Sequence, residues 1–503
     1  MILGKLTKLL LTYTIATSVC YAENAGLHLS DSDFDVHSNN PQEVMILNDG
    51  YSALEKRLEL IEKAKSTIDL ETFIWHADKT GQILLHALIK KAREGVKVRL
   101  LIDKFVGAKG INFFIAHELR KENIEVKYYN PTPLYRVVEA QWRNHKKSLT
   151  IDKKETIIGG RNIGDEYFDF SHVYNFVDRD IWFKGDLVEA VALSFESIWT
   201  SKESVSVERD KEPSKKDLIY MRNSRGSSRA LLQYLDDSRV WDQSVHFAKD
   251  FVSLENEKYN LRDEVRHIAL MQAPNQYYGV CSSASFVSDR PISHETGKTA
   301  RVLKKEIYKR INNSRDSIHI ESPYFIVNNE TEEILKDALK RGVRTSLLTN
   351  YLYSTDAIYV SAAFNSIARD WLSSGLDIYL YSGDTQTGYE TINSDVQSSR
   401  WGTHAKSAVF DDNSIMIGSF NFDPRSYNFS AELAFFCDGD ENLAKALQED
   451  INQRHRDSTL LQKSDLTNNP DHIDESLYSR VGLGKKILYY LFKGPSNLFD
   501  FIL

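Results

Sequence analysis

Cysteine is almost absent, with 3 in 503 residues. That excludes a disulfide-framework domain and a cysteine-rich metal scaffold. Cys20 sits in an apolar N-terminal stretch, while Cys281 and Cys437 lie far apart and read as buried thiols rather than as a disulfide. An excess of basic charge is missing too. The formal net charge is −8 and the pI about 6.0, which argues against a general nucleic-acid binder without excluding a local basic cleft. Beyond the first 22 residues no run has the length and apolarity of a membrane-spanning helix. HExxH spacing and Cys/His clusters are also lacking, so no metal or other cofactor is expected. The apolar, aromatic and charged fractions (42%, 11% and 27%) are those of an ordinary globular protein. The length allows two or three domains, each with its own core.

The N-terminus departs from that globular pattern. Lys5 and Lys8 precede the apolar stretch Leu9 to Tyr21, and Ala22 follows. This is the layout of a secretory signal peptide, with an uncleaved membrane anchor as the other reading of residues 1–22. Export would place the chain on the periplasmic side of the inner membrane, peripheral or held by that anchor. At the other end, Lys485 and Lys486 introduce Ile487 to Phe492, and the chain closes on NLFDFIL. Two readings stand side by side: a segment lying in a membrane interface, or a terminal helix packing on its own domain.

Between these ends the chain alternates strand and helix signals, which indicates an α/β layer structure. Apolar residues at 54, 58, 61 and 64 mark a helix over Leu54 to Ala64, followed by the β-rich STIDLETFIW, Ser66 to Trp75. A helix over Gly81 to Glu94 and a strand over Val96 to Ile102 come next. The same order recurs as Val302 to Ile311, SIHIESPYF (Ser317 to Phe325), Thr331 to Lys340 and Val343 to Leu348. The chain therefore reads as a duplicated α/β unit. Its expected organisation is a leader at 23–42, a first lobe at 43–201, a charged linker or excursion at 202–229, a second lobe at 230–456 and a tail at 457–503.

One pattern, H-x-K-x4-D, occurs once in each half. It is His145, Lys147 and Asp152 in NHKKSLTID, and His404, Lys406 and Asp411 in THAKSAVFD. A glycine turn ending in asparagine follows each copy: GGRN at Gly159 to Asn162 and GSFN at Gly418 to Asn421. Period-two alternation puts the histidine and lysine of each pattern on one strand face.

These groups suit a phosphodiester. One imidazole attacks phosphorus while the other, protonated, gives its proton to the leaving oxygen. Lys147, Lys406, Asn162, Asn421 and Ser419 are candidates to hold the phosphate oxygens. A lysine beside each histidine repels a metal cation. Each histidine also needs a carboxylate on its other ring nitrogen. Asp180, in FVDRDIWF, and Glu432, in SAELAFF, are the candidates within the respective halves. Asp152 and Asp411 are expected to hold strand-to-turn geometry.

HKKSLTID with GGRN, and HAKSAVFD with GSFN, resemble the paired motifs of the phospholipase D superfamily. GGRNIGDEYFDF, SPYF (Ser322 to Phe325), VSDRP (Val287 to Pro291) and GSFNFDPRS (Gly418 to Ser426) are similar to bacterial C-type cardiolipin synthases. The resemblance runs from about Asn48 to about Phe436. It is weak between Lys202 and Gln272, and it departs from the usual pattern at Lys146 and at Gly160, opposite Ser419. It implies two pseudo-symmetric α/β/α sandwich lobes with one active site at their interface, a phosphohistidine intermediate and no metal. It further implies phosphatidyl transfer to phosphatidylglycerol at a membrane surface, giving cardiolipin, with phosphatidylglycerol or phosphatidylethanolamine as donor. His145 is the assigned nucleophile and His404 the general acid, although the symmetry leaves the reverse open. The same motifs leave two alternatives: a phospholipase D that releases phosphatidic acid, and a nuclease. The acidic two-motif chain makes a nucleic-acid partner unexpected, and the oligomeric state is open.

Overall fold

The structure, a computed structural model, describes residues 30–493 apart from 106, 134, 208–211, 215–226, 257–261, 274–275 and 463–477. The signal or anchor reading of residues 1–22 and the closing NLFDFIL lie outside the described residues.

Two mixed sheets, each with nine described strands, follow one plan. The first runs in the order 204–206, 124–129, 97–103, 67–72, 148–151, 155–159, 180–184, 42–47, 278–281. The second runs 458–460, 377–381, 344–350, 317–321, 407–410, 414–418, 433–438, 284–288, 35–38. Thr67–Thr72 lies parallel to Lys97–Asp103, and its counterpart Ser317–Glu321 lies parallel to Arg344–Asn350. Successive residues of the central strands are buried, because each sheet is covered on both sides.

Helices begin where a side chain can receive their unpaired N–H groups. Asp49 accepts from Ser52, so the first helix spans Gly50–Lys63 and starts earlier than its apolar period alone suggests. Asp78 and Asn328 do the same for Lys79–Arg93 and Asn329–Lys340.

The inner faces of the two sheets share one core. Val44, Ile46, Ile158, Ile181 and Phe183 from the first sheet meet Phe286, Ile415, Ile417, Leu433 and Phe435 from the second. Helices Leu187–Trp199 and Glu441–Arg456 close this layer. Across the same interface Arg179 of the first lobe bonds Glu321 and Asp450 of the second, and Arg454 bonds the other oxygen of Glu321. All of these except Asp450 are buried, so removing one partner would strand a charge in a dry interior.

Three expectations change. First, edge strands are exchanged between lobes. Asp35–Ser38, expected in a leader before lobe 1, pairs with Ala284–Ser288 in the second sheet. Tyr278–Cys281, expected in lobe 2, pairs with Gln42–Leu47 in the first. Second, the break at 229/230 does not follow the packing. Trp241, Ala248 and Phe251, on helix Ser227–Val252, and Ile268, on helix Arg262–Gln272, complete the core of the first lobe. Ser204–Ser206, placed in the linker, is an edge strand of that lobe.

Third, Cys281 and Cys437 form a disulfide across 156 residues. Cys281 belongs to the first sheet and Cys437 to the second, so the bond staples the two lobes through their shared core. A crosslink that closes so long a loop removes much of the freedom of the unfolded chain. Replacing both cysteines by alanine is expected to cost about 2–4 kcal/mol. Thermal or guanidinium unfolding of the wild type and the double variant measures this; coincident curves would mean that the bridge adds nothing to the shared core.

Candidate active site

The interface is crossed by two short parallel ladders. Arg143–Asn144 pairs with Ser430–Ala431, and Arg400–Thr403 pairs with Tyr174–Val177. Each ladder delivers one histidine to the opposite lobe. The His145 N–H donates to the Ala431 carbonyl (2.9 Å), and the His404 N–H donates to the Val177 carbonyl (2.7 Å). The residue after each acceptor is acidic. His145 Nδ1 therefore donates to Glu432 (2.9 and 3.0 Å to its two oxygens), and His404 Nδ1 donates to Asp178 (2.6 Å).

This corrects two expectations. The carboxylates serve the histidine of the other half, and Asp178 rather than Asp180 is the partner of His404. Asp180 pairs in register with Gly159, with its carboxylate held by Arg57 (3.0 Å) and Arg161 (3.1 Å). Its counterpart in the second lobe is Ala434, opposite Gly418.

The histidine and lysine of each pattern lie just before a strand rather than on it. The strands begin at Ser148 and Ser407. Lys147 Nζ donates to the His145 carbonyl (2.6 Å), and Lys406 makes the same bond to the His404 carbonyl. Each ammonium is thus anchored through one of its N–H groups to a carbonyl acceptor. Carboxylates from the repeated β-rich segments brace both approaches. Glu71 accepts from Asn144 (3.1 Å) and Ser148 (2.9 Å), and Glu321 accepts from Thr403 (3.0 Å) and Ser407 (3.3 Å). Asp152 and Asp411 sit at the far ends of the strands. Asp152 accepts the N–H groups of Lys65, Ser66 and Thr67, and Asp411 those of Arg315, Asp316 and Ser317.

The glycine turns bring Asn162 and Asn421 into the buried centre. Asn162 accepts from the Ile74 N–H (3.1 Å) and touches the Tyr167 hydroxyl; the Asn421 N–H donates to Ser426 Oγ (3.2 Å). Ser419, expected at the phosphate, instead gives its hydroxyl to Glu432. Ser426 adds a second hydroxyl to the same carboxylate (2.8 Å), a contact the motifs do not announce. The matching position in the first turn is Gly160, where a Cβ would come within 2.2 Å of Asp178 Oδ1. Hence one turn carries serine and the other must carry glycine.

Lys146, which has Ala405 as its counterpart, is buried behind Glu432. Its ammonium donates to Ser194 Oγ (2.8 Å) and to the Asp289 carbonyl (2.6 Å). Asp289 in turn accepts the Glu432 N–H (3.1 Å) and gives its own N–H to the Glu432 carbonyl (2.8 Å). Among the described residues, His76, Asp78 and Glu166 bring potential metal ligands within 4.8 Å of one another. Asp78 there caps a helix and Glu166 faces His76 (3.6 Å), so both already have partners.

The family profile described as "Cardiolipin synthase, PLD-like domain" matches residues 58–199 and 307–455, one match in each lobe and more than half the chain. An uncharacterized protein of Helicobacter pylori (strain ATCC 700392 / 26695) is 30% identical over 79% of this chain and 76% of its own. Cardiolipin synthase C of Escherichia coli (strain K12) is 26% identical over 88% of this chain and 90% of its own. Phosphatidylserine synthase of Haemophilus influenzae Rd KW20 has the same fold, with a TM-score of 0.60 at 16% identity, covering 92% of this chain and 98% of that one. The chain belongs to the cardiolipin synthase family of phospholipase D-like enzymes. It is accordingly a phosphatidyltransferase-type enzyme whose class acts on phospholipids.

The electrostatics of this cardiolipin synthase-like site follow from burial. Burial lowers His145 to about 4, outweighing the opposite pull of Glu432. Burial, together with the Lys406 charge, lowers His404 to about 3 against Asp178. Both imidazoles are therefore held neutral, with Nδ1–H bonded and Nε2 carrying the lone pair. Burial also lowers Lys406 to about 8, and Lys147 well below its ordinary value. Burial alone would raise Asp178 and Glu432, but their histidine partners outweigh it and hold both carboxylates ionised.

Two outcomes follow. Lys406 is positive only below its pKa, so kcat/KM should fall as pH rises through about 8, and a pH profile on phospholipid reads this directly. Asp178→Asn should cut kcat by about 10²-fold or more while leaving the fold intact, because the tautomer of His404 is lost. Asp180→Asn should instead lower the melting temperature. Equal kcat losses from a stably folded Asp180→Asn would undo the assignment.

Proposed function

We propose that the protein makes cardiolipin from phosphatidylglycerol and a second phospholipid through a phosphatidyl-histidine intermediate. The reading is carried by one observation: two imidazoles, each fixed through Nδ1 by the other lobe's carboxylate, with the charges of Lys147 and Lys406 acting on both. His145 Nε2 forms the P–N bond to the donor phosphodiester as the P–O bond to the head-group alcohol breaks. His404 supplies the proton to the departing oxygen. The bound phosphodiester favours this protonation, since its anion offsets the lysine repulsion that, with burial, keeps His404 neutral. Lys147, Lys406, Asn162 and Asn421 hold the non-bridging oxygens. A glycerol hydroxyl of phosphatidylglycerol then gives its proton to His404 Nε2 and attacks phosphorus, and the P–N bond breaks. Every role falls to side chains of this chain, and a metal is given none.

His145 is the better placed nucleophile. Its side chain is 12% exposed against 6% for His404, and its carboxylate is steadied by Ser419 and Ser426. Export from the cytosol is part of the proposal. It is supported by the buried Cys281–Cys437 bridge, which persists in oxidising compartments and is rare in the cytosol.

Product analysis by mass spectrometry tests the reaction. Purified protein is incubated with phosphatidylglycerol vesicles, with and without phosphatidylethanolamine. Cardiolipin with released glycerol or ethanolamine is the expected outcome and names the donor. Phosphatidic acid alone would make the enzyme a hydrolase. His145→Ala and His404→Ala should each reduce turnover by at least about 10³-fold. Near-normal activity in either would end the two-histidine mechanism.

A further inference from the structure

Lys146, the residue after the proposed nucleophile, is a buried cation that the shared fold does without. Its counterpart in the other half is Ala405. The ammonium has two oxygen acceptors, Ser194 Oγ (2.8 Å) and the Asp289 carbonyl (2.6 Å), and the Phe34 ring lies 5.9 Å away. It makes no direct ion pair among the described residues. Burial lowers Lys146 to about 8, against the pull of Glu71, Asp289 and Glu432, so it stays charged near neutral pH. A charge in a dry interior without a carboxylate in contact is costly. Alanine serves at this position in the other half, so the cation has a use beyond packing.

That use lies at Glu432. Of the three carboxylates on which the ammonium acts, Asp289 has its own cation in Arg301 (3.6 Å) and also receives the Leu303 N–H (3.0 Å). Glu71 accepts from Asn144 and Ser148 and bonds neither imidazole. Glu432 holds the His145 ring through Nδ1 (2.9 and 3.0 Å). The backbone links the same groups. Asp289, whose carbonyl Lys146 holds, accepts the Glu432 N–H (3.1 Å) and gives its own N–H to the Glu432 carbonyl (2.8 Å). In the other half a cation comes from a different position. Arg161 donates to the Asp178 carbonyl (2.8 Å) and its charge acts on that carboxylate, while its own counterpart is Phe420. A cation thus stands behind each histidine-bonded carboxylate, although the repeat supplies it from unrelated positions.

We propose that Lys146 is a positioning residue that acts through Glu432: its buried cation keeps that carboxylate ionised, and the proton on His145 Nδ1, while phosphorus is bound to Nε2. The inference rests on the phosphatidyl-histidine reading and names what governs its second step. With Nδ1–H retained, the phosphorylated ring is an imidazolium. The acceptor hydroxyl forms the new P–O bond and gives its proton to His404 Nε2. The P–N electron pair returns to Nε2, and the ring departs as neutral imidazole. If Glu432 takes the Nδ1 proton first, the ring must depart as imidazolate, a far stronger base, and the P–N bond persists. Phosphorylation makes the Nδ1–H more acidic, so this is the stage at which Glu432 must stay a weak base. The Lys146 cation and the Ser419 and Ser426 hydroxyls all act in that direction.

Lys146→Met and Lys146→Gln test this in the full-length protein, with short-chain phosphatidylglycerol dissolved as monomers. Glutamine is neutral but keeps N–H donors, so it separates charge from hydrogen bonding. Both variants should melt at or above the wild-type temperature, because a buried charge has been removed. Both should lower kcat at least tenfold while kcat/KM stays within threefold, since breakdown of the intermediate slows and its formation does not. Mass spectrometry after an alkaline quench should find a phosphatidyl adduct building up on His145 in both. A parallel fall of kcat and kcat/KM without adduct overturns the proposal and makes Lys146 a packing residue. Wild-type kinetics in Lys146→Gln also overturn it, whatever Lys146→Met does, because the bonds and not the charge would then matter. If Lys146→Met does not fold, Lys146→Gln decides by the same readouts. A wild type that yields phosphatidic acid alone would defeat the cardiolipin reading and leave this inference standing, since water must break the same P–N bond.

Discussion

The site depends on a backbone constraint: the paired ladders that carry each histidine strand into the opposite lobe. A parallel pairing fixes which residue faces which. Once the His145 N–H is bonded to Ala431 and the His404 N–H to Val177, the next residue in each acceptor strand must lie beside the imidazole. Neither lobe alone holds a histidine with its carboxylate. Everything that keeps the lobes from sliding therefore also keeps the tautomers correct. The shared core, the Arg179–Glu321–Arg454 cluster, the exchanged edge strands and the Cys281–Cys437 bridge all act on that one degree of freedom.

Burial of the site has an energetic consequence. Lys147 and Lys406 stand in a dry interface and repel each other and both imidazoles. Asp178 and Glu432 balance the two lysine charges, and the neutral histidines add nothing to the sum. In the proposed reaction the phosphodiester anion offsets the lysine repulsion and so favours the protonated form of the imidazole that serves as acid. In that scheme binding and proton loading are one electrostatic event.

The sequence revealed what local spacing encodes. His145, Lys147, His404 and Lys406 were legible because chemistry fixes their offsets. The duplicated α/β order was legible because STIDLETFIW and SIHIESPYF repeat in pattern. Asp178 was not. Asp178 and Asp180 are two residues apart in the same extended segment, and a slip of two preserves alternation, so period alone cannot choose between them. Register chose, through Asp180 opposite Gly159. The strand exchange and the disulfide were hidden for a related reason: neither Tyr278–Cys281 nor Asp35–Ser38 carries any mark of which sheet it joins.

The pseudo-symmetry is broken where the two histidines differ in support. Glu432 receives hydroxyls from Ser419 and Ser426, and its backbone is clamped by Asp289, with Lys146 behind. Asp178 has its own backbone turn and the crowding that forces Gly160, with no serine in reach from that position. A carboxylate held by two extra hydroxyls moves less and spreads its charge over more donors. It therefore fixes the ring more tightly while pulling its proton less strongly. That suits an imidazole that must stay aimed at phosphorus through bond making and breaking. The less buffered Asp178 lies closer to its histidine, 2.6 Å against 2.9 Å. Two lobes of one plan thus support their two histidines unequally, as the proposed division of roles requires.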